Sequence, residues 1–135
     1  MVIKEYKTFD EKELSELYNS VGWSAYCDNM SSLMNGLVNS LLVLGAFQSN
    51  KLVGLIRVVG DKSTIIYIQD LLVHPNYQHQ GVGKALLNEV LEKYKNVRQI
   101  VLLSDNNPSL LSFYKSIGLK ETSEANCVSF IKINK

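Results

Sequence analysis

The chain has little of what specialised architectures require. It holds two cysteines, Cys27 and Cys127, far apart and without metal-ligand spacing. A disulfide scaffold is therefore not expected, and both read as reduced thiols. Its two histidines, His74 and His79, flank one turn and lack the cysteine or acidic partners of a metal centre, so no metal is expected. No Gly/Ser/Pro-rich linker, repeat or low-complexity tract divides the sequence, and residues 1–135 read as a single domain with a useful core. Charge is nearly balanced, with 14 basic and 13 acidic side chains and a formal +1. That excludes a strong pull toward nucleic acid or an anionic membrane surface. No apolar run reaches the ~20 residues of a membrane span, and the start at Met1–Glu5 has no signal-peptide character. A cytoplasmic protein is expected. What is present, 46% hydrophobic and 20% charged residues, is the composition of a soluble globular protein.

One stretch organises the rest. An apolar, β-branched run from Ile65 to Val73 stops at Pro75, a polar turn follows, and Gly81 and Gly83 open a helical pattern. Leu86, Leu87, Val90, Leu91 and Tyr94 then recur on one helical face, with Lys84, Asn88, Glu89, Glu92, Lys93 and Lys95 mostly on the other. Strand, glycine loop and helix in this order let bare backbone N–H groups face a phosphate, helped by the positive end of the helix dipole. The same glycines also suit a plain tight turn, and the geometry leaves both readings open. A nucleoside triphosphate loop is excluded because no Gly-Lys-Ser/Thr is present, and a dinucleotide loop because there is no Gly-x-Gly-x-x-Gly.

In chain order, Val2–Tyr6 reads as a strand. A helix then starts at Asp10, with Glu13 at the capping-box position and Leu14, Leu17, Tyr18 and Val21 on its apolar face; Gly22 ends it. Trp23 to Asn29 reads as an irregular link, followed by a helix bearing Leu33, Met34, Leu37, Val38 and Leu41 on one face, with Ser31 or Ser32 near its start. Leu42–Gln48 and Leu52–Val59 form a hairpin, Thr64–Val73 the next strand, and Gln99–Ser104 a short buried one. Residues 106–117 read as a helix with Gly118 at its C-cap, and Val128–Ile133 as the last strand, with room for one more near Lys120–Glu124. The expected fold is α/β (α+β), a mixed sheet whose Ile65–Val73 and Gln99–Ser104 strands run parallel through a helical crossover.

Gln78-x-x-Gly81-x-Gly83 after Leu71-x-Val73 resembles the acyl-CoA signature of the GNAT acetyltransferase superfamily. Asn107 followed by Phe113-Tyr114-Lys115-Ser116-Ile117-Gly118-Leu119 resembles the same family's second motif, with Leu110 where Ala is common and Leu119 where Phe is common. The two occur in the family's order and span roughly Ile65 to Leu119. The resemblance implies a mostly antiparallel central sheet with a splayed parallel pair, flanked by about four helices. It also implies acetyl-CoA as acyl donor and direct transfer of the acetyl group to a primary amine.

Carried onto these residues, the resemblance implies that backbone groups near Leu71, Leu72 and Val73 pair with pantetheine. Gln78, His79, Gln80, Gly81, Val82, Gly83 and Lys84 would cradle the pyrophosphate, and Asn107 and Tyr114 would face the cofactor. Tyr114 would protonate the departing thiolate; from spacing alone it reads first as a packing residue. Direct attack needs no enzyme nucleophile, only proximity, an oxyanion donor such as an N–H near Leu72, and a proton acceptor. Asp70 and Asp105 are the candidate bases, Asp105 also suiting a helix cap ahead of Pro108. Trp23 and Tyr26 stand where related enzymes build the acceptor pocket, or simply pack against the hairpin. A small-molecule amine is the expected acceptor. A protein or peptide amine, or a non-catalytic acyl-CoA-binding module, is the alternative. A homodimer through an exposed apolar edge is expected.

Overall fold

Two apolar, β-branched runs meet at Ser49-Asn50, and the computed structural model, which describes residues 1–135, closes them as a hairpin. Ser49 and Asn50 take φ of 50° and 63°, the paired left-handed geometry that matches strand twist. The returning strand β3 (Lys51–Gly60) is buried from Leu52 to Val58 and lies at the centre of a five-stranded sheet. In spatial order the sheet runs β1 (Val2–Glu5), β2 (Leu42–Gln48), β3, β4 (Ile65–Val73) and β5 (Gln99–Leu102). Every neighbouring pair is antiparallel except β4 and β5, which are parallel. The mixed, mostly antiparallel sheet is the expected one. Between β3 and β4 the chain turns at Gly60, where a Cβ would collide with the Ile65 carbonyl. Asp61 then accepts from the N–H groups of Ser63, Thr64 and Ile65. Together with the Thr64 hydroxyl these bonds hold its carboxyl well below the usual range.

The chain divides into two compact units, Met1–Leu103 and Ser104–Lys135. In the first, α1 (Glu11–Ser20), α2 (Ser24–Cys27) and α3 (Met30–Val38) share a core with one sheet face. Leu14, Leu17, Tyr18, Leu33 and Leu37 pack there with Val43, Leu55 and Leu72. Complete burial of each such leucine contributes about 1.5–3 kcal/mol. The helix α4 (Val82–Lys93) covers the other face through Val82, Leu86, Leu87 and Val90. Gly54, next to Leu55 and so on the opposite face, lets it approach: a Cβ there would stand 2.9 Å from Val82 Cγ1. No helix is long and apolar enough to cross a membrane.

Several local expectations are corrected. The link after Gly22 contains a helical turn, α2, too short to show a period. Ser31 and Ser32 lie near the start of α3, as expected, and Asn29 caps it by accepting from Ser32 N–H, but Val38 is 68% exposed instead of facing the core. Asp10 does cap α1, but Glu13 does not close the box directly. The Asp10 N–H donates to Tyr6 Oη, which donates to Glu13 Oε2. Glu13 Oε1 accepts from Leu52 N–H, so the carboxylate stitches α1 to the hairpin. In the second unit, α5 (Pro108–Ser116) is shorter than expected. Residues 120–124 form no strand, and a 3-10 turn at Thr122–Ala125 stands there. Val128–Ile133 is not a strand either: residues 127–135 have no regular structure and are exposed. A strand needs a neighbour to pair with, and sequence alone does not provide one.

Candidate active site

The parallel ladder between β4 and β5 ends early. Its last aligned pair is Ile68 with Leu102, whereas β4 runs on to Val73. On the other side β4 stays paired with β3 to Val73, opposite Gly54. The register shifts by one residue where Arg57 faces Asp70 and Val58 faces Ile68, which leaves Gln69 as the extra residue of a bulge. The His74 N–H donates to the Val53 carbonyl, so His74, Leu72 and Asp70 turn their backbone groups toward β3 by strand alternation. Leu71 and Val73 turn theirs outward, where β5 has ended. Gln78 already reaches this edge: its Nε2 donates to the Val73 carbonyl at 2.9 Å. Of the three residues expected to pair with an extended amide chain, Leu71 and Val73 therefore present edge groups and Leu72 is tied to β3.

The loop that follows is shaped by its own side chains. His74 Nδ1 accepts from Asn76 N–H, which caps a 3-10 turn at Pro75–Tyr77, and Gln80 Nε2 donates to the Asn76 carbonyl. His79 and Gly81 take positive φ, 62° and 84°. Gly81 is the N-cap of α4, and no side chain caps this helix. By contrast Asp10, Asn29 and Asn107 cap α1, α3 and α5. The first N–H groups of α4, at Val82, Gly83 and Lys84, are consequently left to solvent or an anion. Val82 is buried and anchors this end, while Gln78, His79, Gln80, Gly81 and Lys84 are exposed.

Beside the bulge lies a buried polar network. Asp70 is 2% exposed. Its Oδ2 accepts from Arg57 Nε at 2.7 Å and Tyr18 Oη at 2.9 Å, and its Oδ1 from Tyr26 Oη at 2.9 Å. Tyr26 Oη in turn accepts from Gln69 Nε2 at 3.2 Å and Arg57 Nη2 at 3.4 Å. Gly36 leaves room for the guanidinium, since a Cβ there would lie 3.1 Å from Arg57 Nη1. Burial and then the Asp70 charge push the Tyr18 and Tyr26 phenols upward, so both remain donors. Trp23, the N-cap of α2, sits 6.0 Å from the Tyr18 ring and 6.3 Å from the Tyr26 ring, and the two tyrosines meet edge to face at 5.2 Å. The expected pair Trp23 and Tyr26 thus comes together with Asp70. Arg57, Tyr18 and Gln69 were not anticipated. The available signal was Arg57, a lone charge in an apolar strand, paired by hairpin counting with the lone charge of the next strand.

In the second unit, Asn107 Oδ1 accepts from the N–H groups of Ser109 and Leu110, so Asn107 is the cap of α5. Asp105, expected as an alternative cap, contributes its backbone carbonyl to the Asn107 N–H. Tyr114 lies six residues along the helix from Pro108, edge-on to Phe113 at 5.1 Å. Its phenol is raised above the ordinary value, first by burial and then by the Asp105 carboxylate. Both cysteines are free, and no group of side chains is arranged to hold a metal.

A strand edge open to an extended amide chain, leading into an uncapped helix N-terminus, suits a cosubstrate that combines amides with phosphates. The sequence model of the acetyltransferase (GNAT) domain matches residues 11–133, and the chain belongs to that family, whose cosubstrate is acetyl-CoA. An uncharacterized N-acetyltransferase ycf52-like protein of Prochlorococcus marinus is 36% identical, covering 96% of this chain and 73% of its own length. The structure of the GNAT family acetyltransferase SP0256 of Streptococcus pneumoniae matches with a TM-score of 0.88 at 34% identity, over 99% of this chain and 98% of that one. The aminoglycoside N-acetyltransferase AAC(6')-Iy in complex with CoA shares the fold, with a TM-score of 0.76 at 16% identity over 99% and 95% of the two chains.

Proposed function

We propose that this protein transfers an acetyl group from acetyl-CoA to the primary amine of a small molecule, within one domain spanning both compact units. The observation that carries the reading is the outer edge of β4. There Leu71 and Val73 offer backbone groups beside an uncapped helix, a fit to pantetheine amides followed by a pyrophosphate. Gln78, by holding the Val73 carbonyl, fixes the strand's exit into the loop. His79, Gln80, Gly81, Gly83 and Lys84 are then positioned for the phosphates, with the N–H of Leu71 or Val73 as the donor for the oxyanion.

The amine nitrogen bonds to the thioester carbonyl carbon, the carbon–sulfur bond breaks, one proton leaves the amine and one reaches the thiolate. Tyr114 is the proposed acid. Burial and Asp105 keep its phenol protonated at neutral pH, as a proton donor requires. The oxygens of Asp70 are engaged by three donors, so we assign it to hold Tyr26 and the bulge, while the amine loses its proton through water. Trp23, Tyr26 and Asp105 are the proposed acceptor-side residues. The aromatic cluster that Tyr26 forms with Tyr18 and Trp23 supports a small acceptor over an extended peptide. Free thiols fit a reducing, cytoplasmic setting, and we hold the working form to be a homodimer.

The test incubates the full chain with acetyl-CoA and separate panels of small amines and amine-bearing peptides, with detection of released thiol. Turnover confined to small amines is the expected result. Turnover only with peptides overturns the acceptor class, and CoA binding without turnover of either panel leaves an acyl-CoA-binding module.

A further inference from the structure

The hydrogen bonds around Asp70 run in one direction, and that direction reaches the surface. A carboxylate only accepts, so the Tyr26 hydroxyl places its single hydrogen on Asp70 Oδ1, at 2.9 Å. The Tyr26 oxygen is then left with two lone pairs. Arg57 Nη2 fills one at 3.4 Å and Gln69 Nε2 the other at 3.2 Å. A phenol so committed can meet only the NH2 end of the Gln69 amide, never its oxygen. Gln69 Oε1 is therefore turned away from Tyr26, and no donor of the chain meets it. Gln69 itself is exposed. A buried carboxylate thus fixes, two bonds away, that an acceptor is what this side chain offers outward.

Gln69 also stands at a definite point along the open strand edge. The ladder between β4 and β5 ends at Ile68 and Leu102, and Gln69 is the next residue of β4, bulged out of its pairing with β3. In the proposed binding mode the phosphates lie at the start of α4 and the pantetheine amides along Val73 and Leu71. The cosubstrate then runs back along β4, with its thiol end leading toward Gln69. At ~3.3 Å per residue Gln69 lies about 7 Å beyond Leu71, on the side where the acyl group would be carried. Its amide is held to Tyr26, one of the proposed acceptor-side residues.

We propose that Gln69 positions the attacking nucleophile: Oε1 accepts one N–H of the acceptor amine and so aims the nitrogen lone pair at the thioester carbonyl. The proposal rests on the acetyl-transfer reading and adds to it the residue that aligns the amine. The amide takes no proton. As the nitrogen–carbon bond forms and the carbon–sulfur bond breaks, positive charge grows on nitrogen and the N–H bond to Oε1 strengthens. The surplus proton then leaves through water, and the thiolate receives its own. Tyr26 acts through Gln69, as the tether that keeps Oε1 outward.

The test takes an amine that the parent acetylates and compares Gln69→Met, Tyr26→Phe and the double variant. Methionine keeps the length of glutamine and removes both polar ends. Gln69→Met is expected to lower kcat/KM for the amine by about tenfold, with acetyl-CoA affinity by calorimetry and melting temperature unchanged. Tyr26→Phe is expected to lower the same constant, and adding Gln69→Met to it to cost little more, since the tether and the tethered group act as one. Gln69→Met working at the parent rate overturns the proposal. Weakened acetyl-CoA binding in Gln69→Met also overturns it, by giving the amide to the cosubstrate. Fully additive losses overturn the tether and with it the fixed orientation of Oε1. A parent that binds acetyl-CoA yet acetylates no amine overturns the transfer reading itself, and Gln69 then has no nucleophile to position.

Discussion

Asp70 shows how a carboxylate is held in an apolar core while denied to solvent. A carboxylate that is 2% exposed survives in an apolar core only when its lone pairs are taken, and here Arg57, Tyr18 and Tyr26 take them. Removing its charge strands the guanidinium. Asp70→Asn is therefore expected to lower stability by about 3–5 kcal/mol, read as a shift in the urea midpoint with an unchanged slope. A loss below about 1 kcal/mol would mean that the network relaxes or is hydrated. Tyr114 is the opposite case, a residue whose proposed importance lies in chemistry. Tyr114→Phe keeps the ring and should lower kcat about a hundredfold or more, with acetyl-CoA affinity and melting temperature nearly unchanged. Since its pKa is raised above that of an ordinary tyrosine, near 10, its protonated form persists across neutral pH. Loss of rate through its ionisation is expected only above about pH 10. A basic limb at lower pH that vanishes in Tyr114→Phe would contradict this. Legibility at this scale was uneven. Asp70, Trp23 and Tyr26 stood out as residues, but their union through Arg57 depends on strand register, which composition does not encode.

At the scale of elements, the β4–loop–α4 unit was readable because two periods meet there, near-continuous apolar residues giving way to a 3.6-residue stripe. Short or partner-dependent pieces were not. The single turn α2 shows no period, the cap of α5 lay with Asn107 instead of Asp105, and Val128–Ile133 has strand composition without a strand's partner. The proposed phosphate role of α4 can be separated from its structural role by sign. Gly83 lies in the first turn of α4, where an acidic side chain is favoured by the helix dipole by about 0.3–1 kcal/mol, and where glycine itself is a poor helix former. Gly83→Asp should therefore leave the melting temperature unchanged or slightly raised. The same charge opposes a pyrophosphate, so acetyl-CoA affinity by calorimetric titration should fall by about an order of magnitude or more. Lower stability with unchanged affinity would make Gly81 and Gly83 a turn and nothing further.

At the scale of the whole molecule, the issue is whether the two compact units and two copies behave as one cooperative system. No residue of α5 is buried, and the second unit is a short span, Ser104–Lys135, below the ~40 residues at which a lone segment usually holds a fold without metals or disulfides. It has one cysteine, Cys127, which is free, and no group of side chains arranged to hold a metal. The family model matches residues 11–133, which run across both units, and one domain is the proposed reading. Scanning calorimetry of the full chain should therefore give one transition, with calorimetric and van't Hoff enthalpies that agree for a dimer dissociating as it unfolds. For 135 residues the entropy scale of about 2.1 cal/mol/K per residue gives roughly 0.6 kcal/mol/K for the pair of chains. A tenfold rise in protein concentration favours the dimer by about 1.4 kcal/mol, so the melting temperature should climb by about 2–3 °C per decade of concentration. Two resolved transitions in the parent would separate the units as independent domains, and a melting temperature indifferent to concentration would separate the copies.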